Sequence, residues 1–128
     1  MKLILNLSFL IALNIAGFSQ EVNTCYTEIN CRDFNLIIEN KDPVIIDIRF
    51  QRAYKKERII GAQNAADKIA LKELLNDIDK NMIVLVYCKE GSRSRTACEI
   101  ICKDLNFKNV YSLNSGFMSW KKKGYPTN

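Results

Sequence analysis

Histidine is absent from all 128 residues, and that absence removes the Cys-His and Ser-His pairs of many covalent enzymes together with every His-ligated zinc site. A nucleophile in this chain has only backbone dipoles and cations to activate it. No C-x-x-C occurs, which leaves a thioredoxin-type redox pair and a zinc ribbon without support. With two prolines and five glycines there is no Pro/Gly-rich linker, and neither a repeat nor a low-complexity stretch interrupts the chain. Nothing in this composition asks for a metal or an organic cofactor.

Long hydrophobic runs are also missing. Met1-Lys2 is followed by an apolar run over residues 3–16, but Asn6 and Asn14 interrupt it and it falls short of the roughly 20 residues a membrane span needs. One positive charge, a short apolar core and small residues at Gly17 and Ser19 read instead as a secretory signal. Residues 1–19 are expected to be removed, leaving an exported, soluble domain over residues 20–128 in the periplasm or outside the cell. Cys25 lies too far beyond the cleavage site to carry a lipid anchor, so no stable membrane insertion is expected. That length supports one hydrophobic core.

The net charge of +5 is scattered except at residues 89–95 and 121–123. No helix gathers it into a stripe, which excludes nucleic acid as a partner class. The basic stretch containing Lys89, Arg93 and Arg95 surrounds a cysteine and favours a small anion. Five cysteines is an odd number for a compartment in which disulfides persist, so at least one thiol stays free or pairs between chains. The oligomeric state is not legible.

Short apolar runs alternate with helical patterns, which argues for an α/β domain with a parallel sheet. A first strand is expected near residues 26–29, followed by a helix capped at Asn30 that buries Cys31, Phe34, Ile37 and Ile38. Residues 44–48 read as a buried strand with Asp47 and Arg49 at its end. A short helix over 50–56 leads to a turn at 59–62 and a short strand near 62–65. Leu71, Leu74, Leu75 and Ile78 mark an amphipathic helix. Residues 82–87 form the strongest strand pattern, apolar throughout and therefore central. A helix from Ser94 to Leu105 carries Cys98, Ile101, Cys102 and Leu105 on one stripe. A strand at 110–113 and a helix at 116–122 complete the chain.

The central strand runs straight into Cys88-Lys89-Glu90-Gly91-Ser92-Arg93-Ser94. A strand, a turn containing Gly and a helix start make backbone N–H groups converge on one point at the carboxyl edge of the sheet. A thiol at that focus ionises readily, with Lys89 and Arg93 assisting. Glu90 has no role in this scheme beyond solvent exposure. A core cysteine has no use for flanking cations and a glycine turn, so Cys88 is the candidate nucleophile.

These residues resemble the active-site loop of single-domain rhodaneses, Cys-x-x-Gly-x-Arg-Ser. Asp47-Ile48-Arg49 is similar to that family's Asp-x-Arg strand end, Ile59-Ile60-Gly61-Ala62 to its Ile-Pro-Gly-Ala turn, and Gly116, Trp120, Gly124 and Pro126 to its C-terminal signature. The chain departs at Glu57-Arg58, where the family commonly has Gly-His, at Ile60 in place of Pro, and at Ser115 in place of Gly. The resemblance implies a rhodanese-like α/β fold, with a parallel sheet of about five strands flanked by helices. It also implies a cysteine that cycles between thiolate and persulfide, a small anionic sulfur donor such as thiosulfate, and cyanide or a thiol as acceptor. Phosphatases and arsenate reductases of the same fold carry Cys-x5-Arg, whereas Arg93 gives Cys-x4-Arg, a smaller ring suited to a terminal sulfur. A catalytically idle binding or sulfur-carrier module is the remaining alternative.

For Asp47 and Arg49 two readings stand, a buttress of the loop and a plain surface pair. Trp120 reads as packing. Cys98 and Cys102 read as core positions whose parallel directions disfavour a mutual disulfide, which leaves Cys25 and Cys31 as the pair expected to form any bridge.

Overall fold

The computed structural model describes residues 24–128. The expected signal segment and its cleavage point lie outside the described residues. Among those residues no helix is long and apolar enough to cross a membrane.

Five parallel strands form one sheet in the order β1-β5-β4-β2-β3. They are β1 (Thr27–Ile29), β2 (Val44–Asp47), β3 (Gln63–Asn64), β4 (Ile83–Tyr87) and β5 (Asn109–Leu113). The helices are α1 (Cys31–Lys41), α2 (Gln51–Lys56), α3 (Lys68–Leu75), α4 (Ser92–Glu99) and α5 (Gly116–Lys122). The apolar run of β4 is explained by its central place: Val84, Leu85, Val86 and Tyr87 are all buried, because both faces of a parallel sheet are covered by helices.

Alternate strand residues supply the two cores. Ile46, Val84 and Val86 pack with Leu71 and Leu75 of α3 and with Ala97 and Cys98 of α4. Ile45, Leu85, Tyr87 and Leu113 pack with Cys31 and Phe34 of α1 and with Phe117 and Trp120 of α5. Asn30 caps α1, its side chain accepting from Asp33 N–H at 2.8 Å. Trp120 is a packing residue: its ring meets those of Phe34 and Tyr125 and its indole N–H donates to the Pro126 carbonyl.

The expected boundaries shift by a residue at several ends and by more at others. The first strand begins at Thr27, β3 is confined to Gln63–Asn64, and the helix after the loop opens at Ser92. Ser94 lies in the first turn of that helix, where its hydroxyl donates back to the Gly91 carbonyl at 3.0 Å instead of capping the helix. Gly91, at φ 104°, already reverses the chain before it, a conformation that costs glycine nothing. Beyond Glu99 the helix widens into a π turn over Ile100–Asp104, with Leu105 N–H donating to Ile100 O.

The disulfide expectation is corrected. Cys25 pairs with Cys102, at a Cα–Cα distance of 6.0 Å, and Cys31 is a buried free thiol. The reason is topological. β1 lies at the sheet edge beside β5, and Tyr26 packs in the same core as Cys98 and Cys102, so the segment before β1 passes the far end of the helix after the loop. Cys31 instead faces Ser115 and Ser119 across the opposite side of the sheet. Spacing along the sequence carries no trace of that juxtaposition.

The Cys25–Cys102 bridge spans a sequence separation of 77, and closing a loop of that length in the unfolded chain is worth about 4 kcal/mol in the chain-entropy model. Cys102→Ser should therefore lower the stability measured by urea unfolding by that order, and reductant should have little further effect on the variant. A midpoint unchanged from the oxidised parent would show that the bridge contributes nothing.

Candidate active site

β4 delivers Cys88 to the carboxyl edge of the sheet, and two glycines allow the chain to turn there. A Cβ on Gly91 would collide with the Asn114 carbonyl, and one on Gly116 with the Lys89 carbonyl. Both positions also have positive φ. The close approach of the β5–α5 turn to the loop has a purpose: the first N–H groups of α5 take the loop's carbonyls. Phe117 N–H donates to Cys88 O at 2.8 Å and Met118 N–H to Lys89 O at 3.1 Å. With the carbonyls drawn toward α5, loop amides are left to point at the sulfur.

Cys88 Sγ accepts from Gly91 N–H at 3.1 Å and from Ser94 N–H at 3.3 Å, and lies 3.6 Å from Ser94 Oγ. Burial, with Cys88 only 2% exposed, works to raise its pKa. Hydrogen bonds from the Ser94 hydroxyl and from the Ser94, Gly91 and Glu90 amides outweigh it, so the thiol ionises below its ordinary value. Glu90 thus contributes through its backbone, while its side chain is exposed. Lys89 and Arg93, expected to assist the ionisation, make no hydrogen bond to the sulfur among the described residues. Arg93 Nη2 instead donates to Ile48 O at 3.3 Å, and its guanidinium lies 5.1 Å from the Phe50 ring centre.

Asp47 and Arg49 form a buried strut. Asp47 is 0% exposed; it accepts from Arg49 N–H at 2.8 Å, from the Arg49 guanidinium at 2.7 Å and from Tyr87 O–H at 2.7 Å. Arg49 also donates to Glu57 O at 2.6 Å, and Tyr87 Oη accepts from Ile59 N–H at 3.1 Å. Burial lowers the Arg49 pKa, but its bonds and attraction to Asp47 prevail and hold it above the usual arginine value. Burial first, and Asp47 next, push the Tyr87 phenol up. The guanidinium therefore keeps its charge and the phenol its proton, and the network ties β2, β4 and the 57–59 turn together beneath the loop. Neither Asp47 nor Arg49 reaches Cys88.

Beside the loop opens a cavity of about 480 Å³, lined by Arg49, Phe50, Ala53, Lys89, Arg93, Phe117, Met118 and Lys121. Arg49 is neutralised by Asp47 and Lys121 by Glu57; Lys89 and Arg93 have no carboxylate partner among the described residues. Phe50, 70% exposed, and Met118, 54% exposed, form apolar walls. Sequence reasoning missed Phe50, Met118 and Tyr87: each sits in or at the start of an element read from the sequence, but no spacing marks which face turns toward the loop. The departure at Glu57-Arg58 finds its use in holding the C-terminal segment. The Glu57 carboxylate accepts from Thr127 at 2.7 Å and pairs with Lys121, while Arg58 and Asn128 exchange backbone hydrogen bonds. Among the described residues no cluster of His, Cys, Asp or Glu could hold a metal ion.

The strand, the amide-lined loop and the buried strut match a known arrangement. The family model for the rhodanese-like domain matches residues 31–123. The chain belongs to the rhodanese family. A thiosulfate sulfurtransferase, GlpE, of Coxiella burnetii is 34% identical over 96 residues, which are 75% of this chain and 88% of that protein. A GlpE of Pseudomonas fluorescens is 31% identical over 84 residues, 66% of this chain and 75% of that one. Among solved structures, a rhodanese-related protein of Thermoplasma volcanium superposes with a TM-score of 0.67 at 25% identity, covering 80% of this chain and 98% of that one. In this rhodanese the loop remains Cys-x4-Arg, and the departures from the family pattern fall in the 57–60 turn and at Ser115, outside it.

Two outcomes test the site. Alkylation of Cys88 should rise with pH about a midpoint below that of a free thiol, and Ser94→Ala should move that midpoint upward, slowing alkylation at neutral pH roughly threefold to tenfold, the net worth of one hydrogen bond. Arg49→Met leaves the Asp47 carboxylate buried and unpaired, which should cost roughly 3 to 5 kcal/mol in denaturant unfolding. A loss below about 1 kcal/mol, the value of an exposed pair, would contradict the strut.

Proposed function

We propose that this rhodanese is an exported sulfurtransferase that moves a sulfane sulfur from a donor such as thiosulfate to a thiophilic acceptor through a persulfide on Cys88. The observation that carries the reading is the convergence of the Gly91 and Ser94 N–H groups on Cys88 Sγ. Groups so placed stabilise a thiolate, and after sulfur transfer the same ring of donors lies beside the persulfide.

The steps balance. The Cys88 thiolate attacks the outer sulfur of thiosulfate; an S–S bond forms to Cys88 as the donor's own S–S bond breaks, and sulfite leaves with both of the donor's negative charges. The persulfide keeps one negative charge. Cyanide or a thiolate acceptor then attacks the terminal sulfur, leaves as thiocyanate or a new persulfide, and restores the Cys88 thiolate. Lys89 and Arg93 at the cavity rim attract the dianion, and no cofactor enters either step.

Export is part of the proposal, supported by the signal-like residues 1–19 and by the Cys25–Cys102 disulfide, a bond that persists in oxidising compartments. Against a phosphatase reading stands the length of the loop. With one residue fewer between Cys88 and Arg93 than Cys-x5-Arg provides, the ring is small for a tetrahedral phosphoryl group.

Mass spectrometry of the protein after thiosulfate treatment should find one added sulfur atom on Cys88. Cys88→Ser should lose both that adduct and thiosulfate–cyanide turnover while keeping its fold, and an aryl phosphate should not be hydrolysed by the parent. Turnover by Cys88→Ser near the parent rate would move the chemistry to another thiol.

A further inference from the structure

Ser112 is a polar residue on a buried strand with no part in the mechanism above. It is 0% exposed, as is Ser94, and the two hydroxyl oxygens lie 2.8 Å apart. The Cys98 thiol, on the same helix as Ser94, is pushed up by burial, and the Ser112 hydroxyl offsets this only in part. Three side chains are therefore linked in a line under the loop: Ser112, Ser94 and Cys88. They come from α4, β5 and the end of β4, and no charged side chain stands among them.

Hydrogen-bond arithmetic gives the line a direction. The Ser94 hydroxyl has one proton and three neighbours: the Gly91 carbonyl at 3.0 Å, Ser112 Oγ at 2.8 Å and Cys88 Sγ at 3.6 Å. While Cys88 is a thiol, its S–H can donate to Ser94 Oγ and the Ser94 proton goes to the Gly91 carbonyl. When Cys88 is ionised or carries a sulfur, Ser94 must turn its proton to the sulfur instead. Its oxygen then needs a donor, and the Ser112 O–H is placed to be one. A donating Ser112 also polarises the Ser94 O–H, and successive hydrogen bonds of this kind strengthen one another in a dry interior.

We propose that Ser112 is a positioning residue for the reactive sulfur: by donating to Ser94 Oγ it turns the Ser94 hydroxyl toward Cys88 and so favours the anionic forms of that cysteine. Ser112 does not touch the sulfur. It acts only through Ser94. The inference rests on Cys88 being the nucleophile of the proposed function, but its test does not depend on the sulfur donor.

The charged and titratable groups nearest Cys88 are Lys89 and Glu90 in the loop, Arg93 and Cys98 on α4, the Asp47–Arg49 pair at the end of β2, Tyr87 on β4 and Lys121 on α5. Glu28 on β1 faces Cys98. Replacing Ser112 alters none of these charges, so a change in Cys88 titration reports the hydroxyl itself.

The experiment compares Ser112→Thr with Ser112→Val, a pair alike in shape and differing only in the hydroxyl, alongside Ser112→Ala. Iodoacetamide alkylation of Cys88 is followed by mass spectrometry across pH, with thermal melts on each variant. Ser112→Val and Ser112→Ala should move the alkylation midpoint upward and slow the reaction at neutral pH about threefold to tenfold, converging with the parent at high pH; Ser112→Thr should retain the parent midpoint. Equal midpoints for Thr and Val would overturn the proposal, as would a slowing that is the same at every pH, which is the mark of a purely structural role. Loss of sulfur transfer with thiosulfate in the parent would sink the sulfurtransferase reading and leave these midpoints as they are.

Discussion

The organisation of the site depends on where two backbone carbonyls point. A loop that offers N–H groups to a sulfur must dispose of the matching C=O groups, since a buried carbonyl without a donor is costly. Here Cys88 O and Lys89 O are taken by Phe117 and Met118 N–H at the start of α5, donors that the helix itself leaves unused. The contact requires the β5–α5 turn to lie against the loop backbone, and that is why neither Gly91 nor Gly116 has room for a Cβ. The glycine in the loop and the glycine at the start of the last helix, far apart in sequence, answer one steric demand.

Beneath this, the Asp47–Arg49–Tyr87 network fixes the position of the strand ends. A buried ion pair is weak evidence of net stability, because desolvation consumes much of the attraction. Its value lies in geometry. Asp47 receives donors from Arg49 and Tyr87, and those partners continue to Glu57 O and Ile59 N. The turn that carries Glu57 also holds the C-terminal segment and one wall of the cavity. A shift of β2 against β4 would break several of these bonds together, so the loop rests on a base with few alternative arrangements.

The fold was largely legible because its signals are local. The apolar run of residues 83–87, the cap at Asn30 and the helical spacing of Leu71 and Leu75 each follow from burial and backbone chemistry within a short window. The motif around Cys88 was legible for the same reason: strand, glycine and helix start are contiguous. What could not be read depends on which elements become neighbours. Ser112 and Tyr87 look like ordinary strand residues until the sheet brings β5 and β2 to either side of β4. Cys102 occupies an apolar stripe whose register is altered by the π turn, and only the edge position of β1 shows that Cys25 meets it. The cations show the same limit: Lys89 and Arg93 are beside Cys88 in sequence, but only the packing shows that both line the cavity beside the loop and that Arg93 reaches Ile48 and Phe50.

Five cysteines in one small domain raise the question of how a single thiol is kept reactive, and the structure answers it by position. Cys25 and Cys102 are consumed in a bond to each other. Cys31 is buried on the opposite face of the sheet against Ser115 and Ser119, with the strands between it and the bridge. Cys98 is held as a thiol by burial, and a protonated thiol is a poor nucleophile toward a disulfide. Only Cys88 combines donors that favour its anion with a place at the strand ends beside an anion-attracting cavity. The same low dielectric produces both outcomes: it suppresses ionisation at Cys98, where one hydroxyl is too little compensation, and strengthens the amide bonds at Cys88, where several donors converge. The difference between an inert cysteine and a reactive one, ten residues apart in the chain, is the number of hydrogen-bond donors aimed at the sulfur.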